Sequence, residues 1–144
     1  MSALIELSQK NDSGALSIQL IDLLRLIPEE DQKLVWAILD LEAIGDISEV
    51  WQAGILDLES QIQQSPMILN WQDLVKLANS FEDVINLTLV ACLSSKLPAV
   101  NFKINDPHSC VFVFELIDST VWKIYAAHQE KLDRFLNAQL KSAA

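Results

Sequence analysis

His108 and Cys110 stand two positions apart, with Asp106 just before them. A thiol nucleophile needs a base within hydrogen-bond reach, and alternate positions on an extended strand point the same way. The chain has one other histidine, His128, and no Gly-rich stretch near the thiol to hold an oxyanion. The pair therefore reads as a turn histidine beside a buried structural cysteine. A metal centre would need three or four His, Cys or carboxylate ligands converging. Cys92, Cys110, His108 and His128 are scattered, with no CxxC, HxxxH or HExxH spacing, so neither a metal nor a cofactor is expected. If the strands that carry Cys92 and Cys110 are neighbours, the two thiols could meet, and a cytoplasmic setting would keep them reduced.

Glu115 lies between Phe114 and Leu116 in the most apolar stretch of the chain. A carboxylate taken out of water is costly unless it is paired. Lys123, just past the Asp118-Ser119 turn signal, is the natural partner, so Glu115, Asp118 and Lys123 are expected to form a polar cluster on an otherwise apolar sheet. An enzyme reading would use Glu115 and Asp118 with His108 or His128. No Walker loop, GxGxxG, GxSxG or EF-hand loop occurs to support such a reading.

The charge carries more information than these clusters. The chain of 144 residues has a net charge of −10. Residues 1–66 hold 12 acidic and 3 basic residues, net −9, whereas residues 67–144 hold 8 acidic and 7 basic, net −1. An acidic half repels phosphate backbones and anionic headgroups, which excludes nucleic acid and membrane as partners and favours a basic protein. The partner-binding set expected on this reading is Glu29, Glu30, Asp31, Asp40, Glu42, Asp46 and Glu49, with Asp57 and Glu59 nearby. Among the tryptophans Trp36, Trp51, Trp71 and Trp122, Trp36 is the best interface anchor, because it leaves the main apolar stripe of its predicted helix.

The length suits one domain spanning residues 1–144, with no linker or repeat. A mean hydropathy of +0.24 beside so large a charge hints at apolar surface buried in the core or in a homodimer. Residues 1–10 lack the basic and apolar regions of a signal peptide. The longest apolar run, residues 34–39, is far short of the ~20 needed to span a bilayer. The cytoplasm is the expected location.

Periodicity assigns the elements that would position these residues. Residues 1–12 read as a loose arm, followed by a turn at Asn11-Asp12-Ser13-Gly14. Leu16, Leu20, Leu23, Leu24 and Ile27 recur at helical spacing up to Pro28, which also opens the next helix ahead of Glu29, Glu30 and Asp31. Leu34, Val35, Ile38, Leu41 and Ile44 predict that second helix, with Trp36, Leu39 and Ala43 making its other face apolar and Gly45 capping it. A third helix, capped by Asp46 or Ser48, carries Ile47, Trp51, Ile55, Leu58 and Ile62 and stops at Ser65-Pro66. Asn70 caps a fourth, with Leu74, Leu77 and Ala78 inward.

After Phe81 the period becomes twofold. Strands are expected at 84–91, at 100–104 on an edge, at 110–117 in the centre and at 120–126, the last of which also fits a helix running into a C-terminal helix over 129–141. A strong turn is expected at Asn105-Asp106-Pro107-His108-Ser109. The fold class is thus α+β: a helical amino-terminal half of about three helices packed on a small antiparallel sheet with a C-terminal helix.

Two stretches carry a resemblance. Asn70-Trp71-Gln72-Asp73-Leu74-Val75-Lys76-Leu77-Ala78-Asn79, leading into residues 81–89, resembles the helix-then-strand opening of several uncharacterised small bacterial α+β families. Phe114-Glu115-Leu116-Ile117-Asp118-Ser119-Thr120-Val121-Trp122-Lys123-Ile124-Tyr125 resembles their strand-turn-strand segment. Some such small acidic proteins are immunity proteins that neutralise a cognate toxin, although no inhibitory residues of theirs map onto this sequence. The expected function is a non-catalytic protein-binding module of immunity or inhibitor type. The alternatives are a homo-oligomeric structural or accessory subunit and an enzyme with a site near Glu115.

Overall fold

A computed structural model of the protein describes residues 3–8, 18–93 and 110–135. Six strands dominate it: β1 (Ala3–Leu7), β2 (Val35–Gly45), β3 (Met67–Leu69), β4 (Phe81–Cys92), β5 (Phe112–Ile117) and β6 (Val121–Ala126). They form one antiparallel sheet in the order β1-β6-β5-β4-β2-β3. The helices are α1 (Leu20–Leu24), α2 (Glu29–Gln32), α3 (Ile55–Gln64) and α4 (Trp71–Ser80). A 3-10 turn, Gln129–Lys131, follows β6. Among the described residues no helix is long and apolar enough to cross a membrane.

This corrects the expected fold class. The amino-terminal half is not a helical layer on a small sheet, because its predicted second helix is β2, an interior strand of 11 residues. The run Val35-Trp36-Ala37-Ile38-Leu39 is apolar at every position, as suits a strand enclosed on both faces. Its β-branched and aromatic side chains stack well on a pleat and poorly around a helix. The expected arm is corrected too, since residues 3–7 pair with β6 from Ala3↔Ala126 to Leu7↔Trp122. Of the third helix only α3 remains. Ile47 is buried in the preceding loop, and the Ser48 N–H donates to Asp46 Oδ1 in a tight turn rather than at a helix start. The turn at 11–14, the strand at 100–104, the turn at 105–109 and the C-terminal helix beyond 135 lie outside the described residues.

Other expectations hold. Asn70 Oδ1 accepts from the Asp73 N–H at 2.8 Å, and Leu74, Leu77 and Ala78 are buried. Residues 121–126 form a strand. The turn before it places Asp118 and Ser119 at φ of 49° and 58°, the left-handed turn geometry whose twist matches that of paired strands.

One sheet face lies under the helices and is apolar across its three central rows. Its rows run Trp36–Ala91–Phe112–Ala126, then Ile38–Leu89–Phe114–Ile124–Ile5, then Leu41–Leu87–Leu116–Trp122–Leu7. Leu20, Leu23 and Leu24 of α1, Leu58 and Ile62 of α3, and Leu74 and Leu77 of α4 close over these rows. Phe135 meets Phe112 and Phe114 edge-on, at centroid distances of 6.3 and 5.7 Å.

Gly45, expected as a helix cap, instead ends β2 at φ +149°. A Cβ there would stand 2.5 Å from the Ser80 carbonyl oxygen, where α4 turns into β4. The atoms it would meet are all backbone, so none can swing aside. Gly45→Ala is expected to lower unfolding stability by about 2–4 kcal/mol, read as a reduced urea midpoint; a loss below about 0.5 kcal/mol would show that the contact relaxes freely.

Candidate functional site

Positions in register share a sheet face, so the strand pairings define what is presented by the face that carries none of the described helices, the helix-free face. One row joins Glu6, Lys123, Glu115, Thr88 and Asp40 across β1, β6, β5, β4 and β2. The next joins Asn86 to Glu42, and beyond it Asp83 stands opposite Ile44. On the other side of the charged row runs an apolar one: Leu4, Tyr125, Val113, Val90, Ala37 and Ile68. Its middle is buried with Cys92 and Cys110, while its ends on the two edge strands are open, Leu4 at 58% and Ile68 at 50% exposure. The Tyr125 hydroxyl is buried there without a hydrogen-bond partner.

The six strands carry six carboxylates, Glu6, Asp40, Glu42, Glu82, Asp83 and Glu115, and a single cation, Lys123. Five of these carboxylates, all but Glu82, lie on the helix-free face. Bulges set their aim. An extra residue between Ile38 and Asp40 lets Leu39 pack with the buried group of Ala37, Val90, Cys92, Cys110 and Val113 while Asp40 stays level with Thr88. A second irregularity, between Glu42 and Ala43, leaves the Ala43 N–H to donate to Glu59 Oε1 of α3 at 2.9 Å. Asn86 ties the face to the β5–β6 turn: its Nδ2 donates to Glu42 Oε1 at 2.7 Å, and its Oδ1 accepts from the Asp118 N–H at 2.9 Å.

The register sets Glu115 opposite Lys123, with Glu6 on the other side of the lysine, but neither carboxylate forms an ion pair with it. Asp118 is not beside them. It lies in the turn at the end of the hairpin, while His128 lies past the opposite end of β6, so the two are roughly 20 Å apart by strand rise. Glu115, Asp118 and His128 are therefore not gathered into one catalytic group, and His108 lies outside the described residues. Among the described residues no three His, Cys, Asp or Glu side chains converge as a metal site would require.

The expected partner-binding set is also divided. Trp36 is corrected outright: at 0% exposure it stacks near Phe112 and Phe114 and meets Trp71 at 5.3 Å, so it cannot anchor an interface. Glu29, Glu30 and Asp31 sit on α2, on the helix side of the sheet. Asp31 is buried and bound by Lys131 Nζ at 2.9 and 3.0 Å. Asp46 and Glu49 belong to the β2–α3 connection. Of the set, only Asp40 and Glu42 reach the carboxylate-rich face. Asp57 accepts from Trp51 Nε1 at 2.7 Å and is likewise engaged internally.

No family model, curated protein or solved structure matches this chain.

On the helix side, two open hollows of about 260 and 350 Å³ adjoin Trp71 and Gln32. Arg25, Lys33 and Glu29 reach their rims, and no acid–base pair converges inside them. Sequence reasoning passed over Glu6, Asp83, Asn86 and Thr88. For Asn86 and Thr88 the signal was present, since both fall at alternate positions to Leu87 and Leu89.

Asp46 is held below the ordinary carboxylate range by the Ser48 amide and secondarily by the Ser48 hydroxyl. A carboxyl depressed in the folded state contributes stability above its unfolded pKa and loses it as the pH falls through the folded value. Asp46→Asn should therefore lower the urea midpoint at about pH 7 and leave it unchanged near pH 2. Equal losses at both pH values would show that the cause is not the charge.

Proposed function

We propose that the chain is a cytoplasmic, non-catalytic protein-binding module that lays its helix-free sheet face on a basic protein partner. The supporting observation is the imbalance among the described strand residues: five carboxylates on one face against the single lysine Lys123. Such a face attracts a cationic surface over several ångströms of solvent, and it repels phosphate and anionic lipid. Lys123, set between Glu6 and Glu115, is placed to fix register rather than to neutralise the face.

The mode of action would be occlusion, as in an immunity or inhibitor protein: a rigid β surface covers a working site on the partner and performs no chemistry. A sheet suits that task, because strands hold their side chains with little freedom and bind with little ordering cost. The separation of Glu115, Asp118 and His128 argues against the enzyme alternative.

Low-salt affinity capture with the tagged chain, followed by titration of the recovered basic protein, tests the reading. Asp40→Asn, Glu42→Gln and Glu115→Gln combined should weaken binding at least about tenfold and flatten its dependence on salt. Glu29→Gln with Glu30→Gln, on the other side of the molecule, should change it little. Binding indifferent to the sheet-face substitutions and to salt would overturn the proposal.

A second reading, a homo-oligomeric subunit, is favoured by the exposed Leu4 and Ile68 on the two sheet edges. Light scattering should then show a mass above one chain that falls on dilution or in Leu4→Lys, and a monomer at every concentration removes this reading.

A further inference from the structure

The apolar part of the helix-free face contains a feature that docking does not use. Cys92 closes β4 and Cys110 leads into β5, 18 positions later. The Val111 N–H donates to the Ala91 carbonyl at 2.8 Å, so the two strands are still joined beside both thiols. Both cysteines are buried against Ala37, Val90 and Val113, no disulfide joins them, and their sulfurs lie 3.3 Å apart.

We propose that Cys92 and Cys110 are an oxidative modification site, in which a peroxide converts the pair to an intrachain disulfide that a thiol reductant reopens. A disulfide has its sulfurs about 2.05 Å apart, so closure needs roughly 1.2 Å of approach, within the reach of small χ1 adjustments on fixed strands. The hydrogen bond between the thiols also holds the Cys92 thiol below its ordinary range, which favours the reactive thiolate.

The chemistry balances with one peroxide. The Cys92 thiolate attacks one peroxide oxygen, so an S–O bond forms, the O–O bond breaks and hydroxide leaves. Cys110 sulfur then attacks the Cys92 sulfenic acid. An S–S bond forms, the S–O bond breaks, and hydroxide departs as water with the Cys110 proton. Two thiols and one hydrogen peroxide thus become one disulfide and two waters. With the second thiol already in contact, ring closure should outrun further oxidation of the sulfenic acid. Burial restricts the oxidant to a small one. In a reducing compartment such a pair responds to oxidant rather than serving as a standing crosslink.

The test is intact mass after exposure of the folded, full chain to a small excess of hydrogen peroxide, followed by denaturation and maleimide labelling. The expected product has lost two hydrogens, takes no maleimide and takes two after dithiothreitol. Cys110→Ser, treated alike, should carry an added oxygen on Cys92 or crosslink two chains. If that variant fails to fold, the parent measurement decides alone. Two maleimides on the peroxide-treated parent, added oxygens without loss of hydrogen, or a disulfide only between chains would each overturn the proposal.

Discussion

Trp36 and Phe112 lean toward each other across Ala91, which lies between them on β4 in the same row. Strands two apart are separated by nearly 10 Å, so two large rings can approach to 6.3 Å only where the residue between them is small. Phe114 joins from the next row, Trp71 from α4 and Phe135 from beyond β6. This aromatic knot fixes β2 beside β4 and makes one face of the sheet deeply apolar. The helices are short because their role is to cover that face: α1 and α2 have too few residues to stand without it. The Trp36 indole N–H has no hydrogen-bond partner inside the knot, so packing there outweighs the cost of one unmade polar contact.

The strand that carries Trp36 also holds the largest gap between sequence and structure. Leu34, Val35, Ile38, Leu41 and Ile44 satisfy helical spacing, yet Asp40 and Glu42 alternate with Leu41 and Ala43 as in a strand. The bulge at Leu39 interrupts that alternation just where it would have become visible, and the first half of β2 is apolar on both sides. A twofold period broken by one residue imitates a helix over ten positions. Elements whose signals are local were legible: the Asn70 cap, the Asp118-Ser119 turn and the central β5 strand. The register that sets Glu115 opposite Lys123 was legible for the same reason, since a tight hairpin dictates it. Glu6 joining that pair was not, because strand order is set by contacts more than a hundred residues apart in sequence.

Acidity proved a weaker guide than position. Several carboxylates of the amino-terminal half have structural duties: Asp31 holds Lys131, Glu59 satisfies an amide freed by a bulge, Asp57 takes an indole N–H and Asp46 closes a turn. The amino-terminal acids do not form one surface. The negative face that does exist is assembled from β1, β2, β4 and β5, and two of its five carboxylates, Asp83 and Glu115, come from the part of the chain that is nearly neutral overall. Net charge by sequence segment and charge by surface are different quantities, and only strand pairing connects them.

The strand nearest the start of the chain is hydrogen-bonded to the last strand, Ala3 to Ala126, and Trp122 Nε1 donates to the Ile18 carbonyl 104 positions away. On the ribosome, β1 emerges first and must wait for β6, the last of the six to appear. At about 5–20 residues per second that delay lasts many seconds, during which Ile5 and Leu7 have no sheet to join. Nascent chains of this protein would therefore hold an apolar strand unsatisfied until β6 has emerged, and messages cut short before β6 would yield chains that cannot hide it.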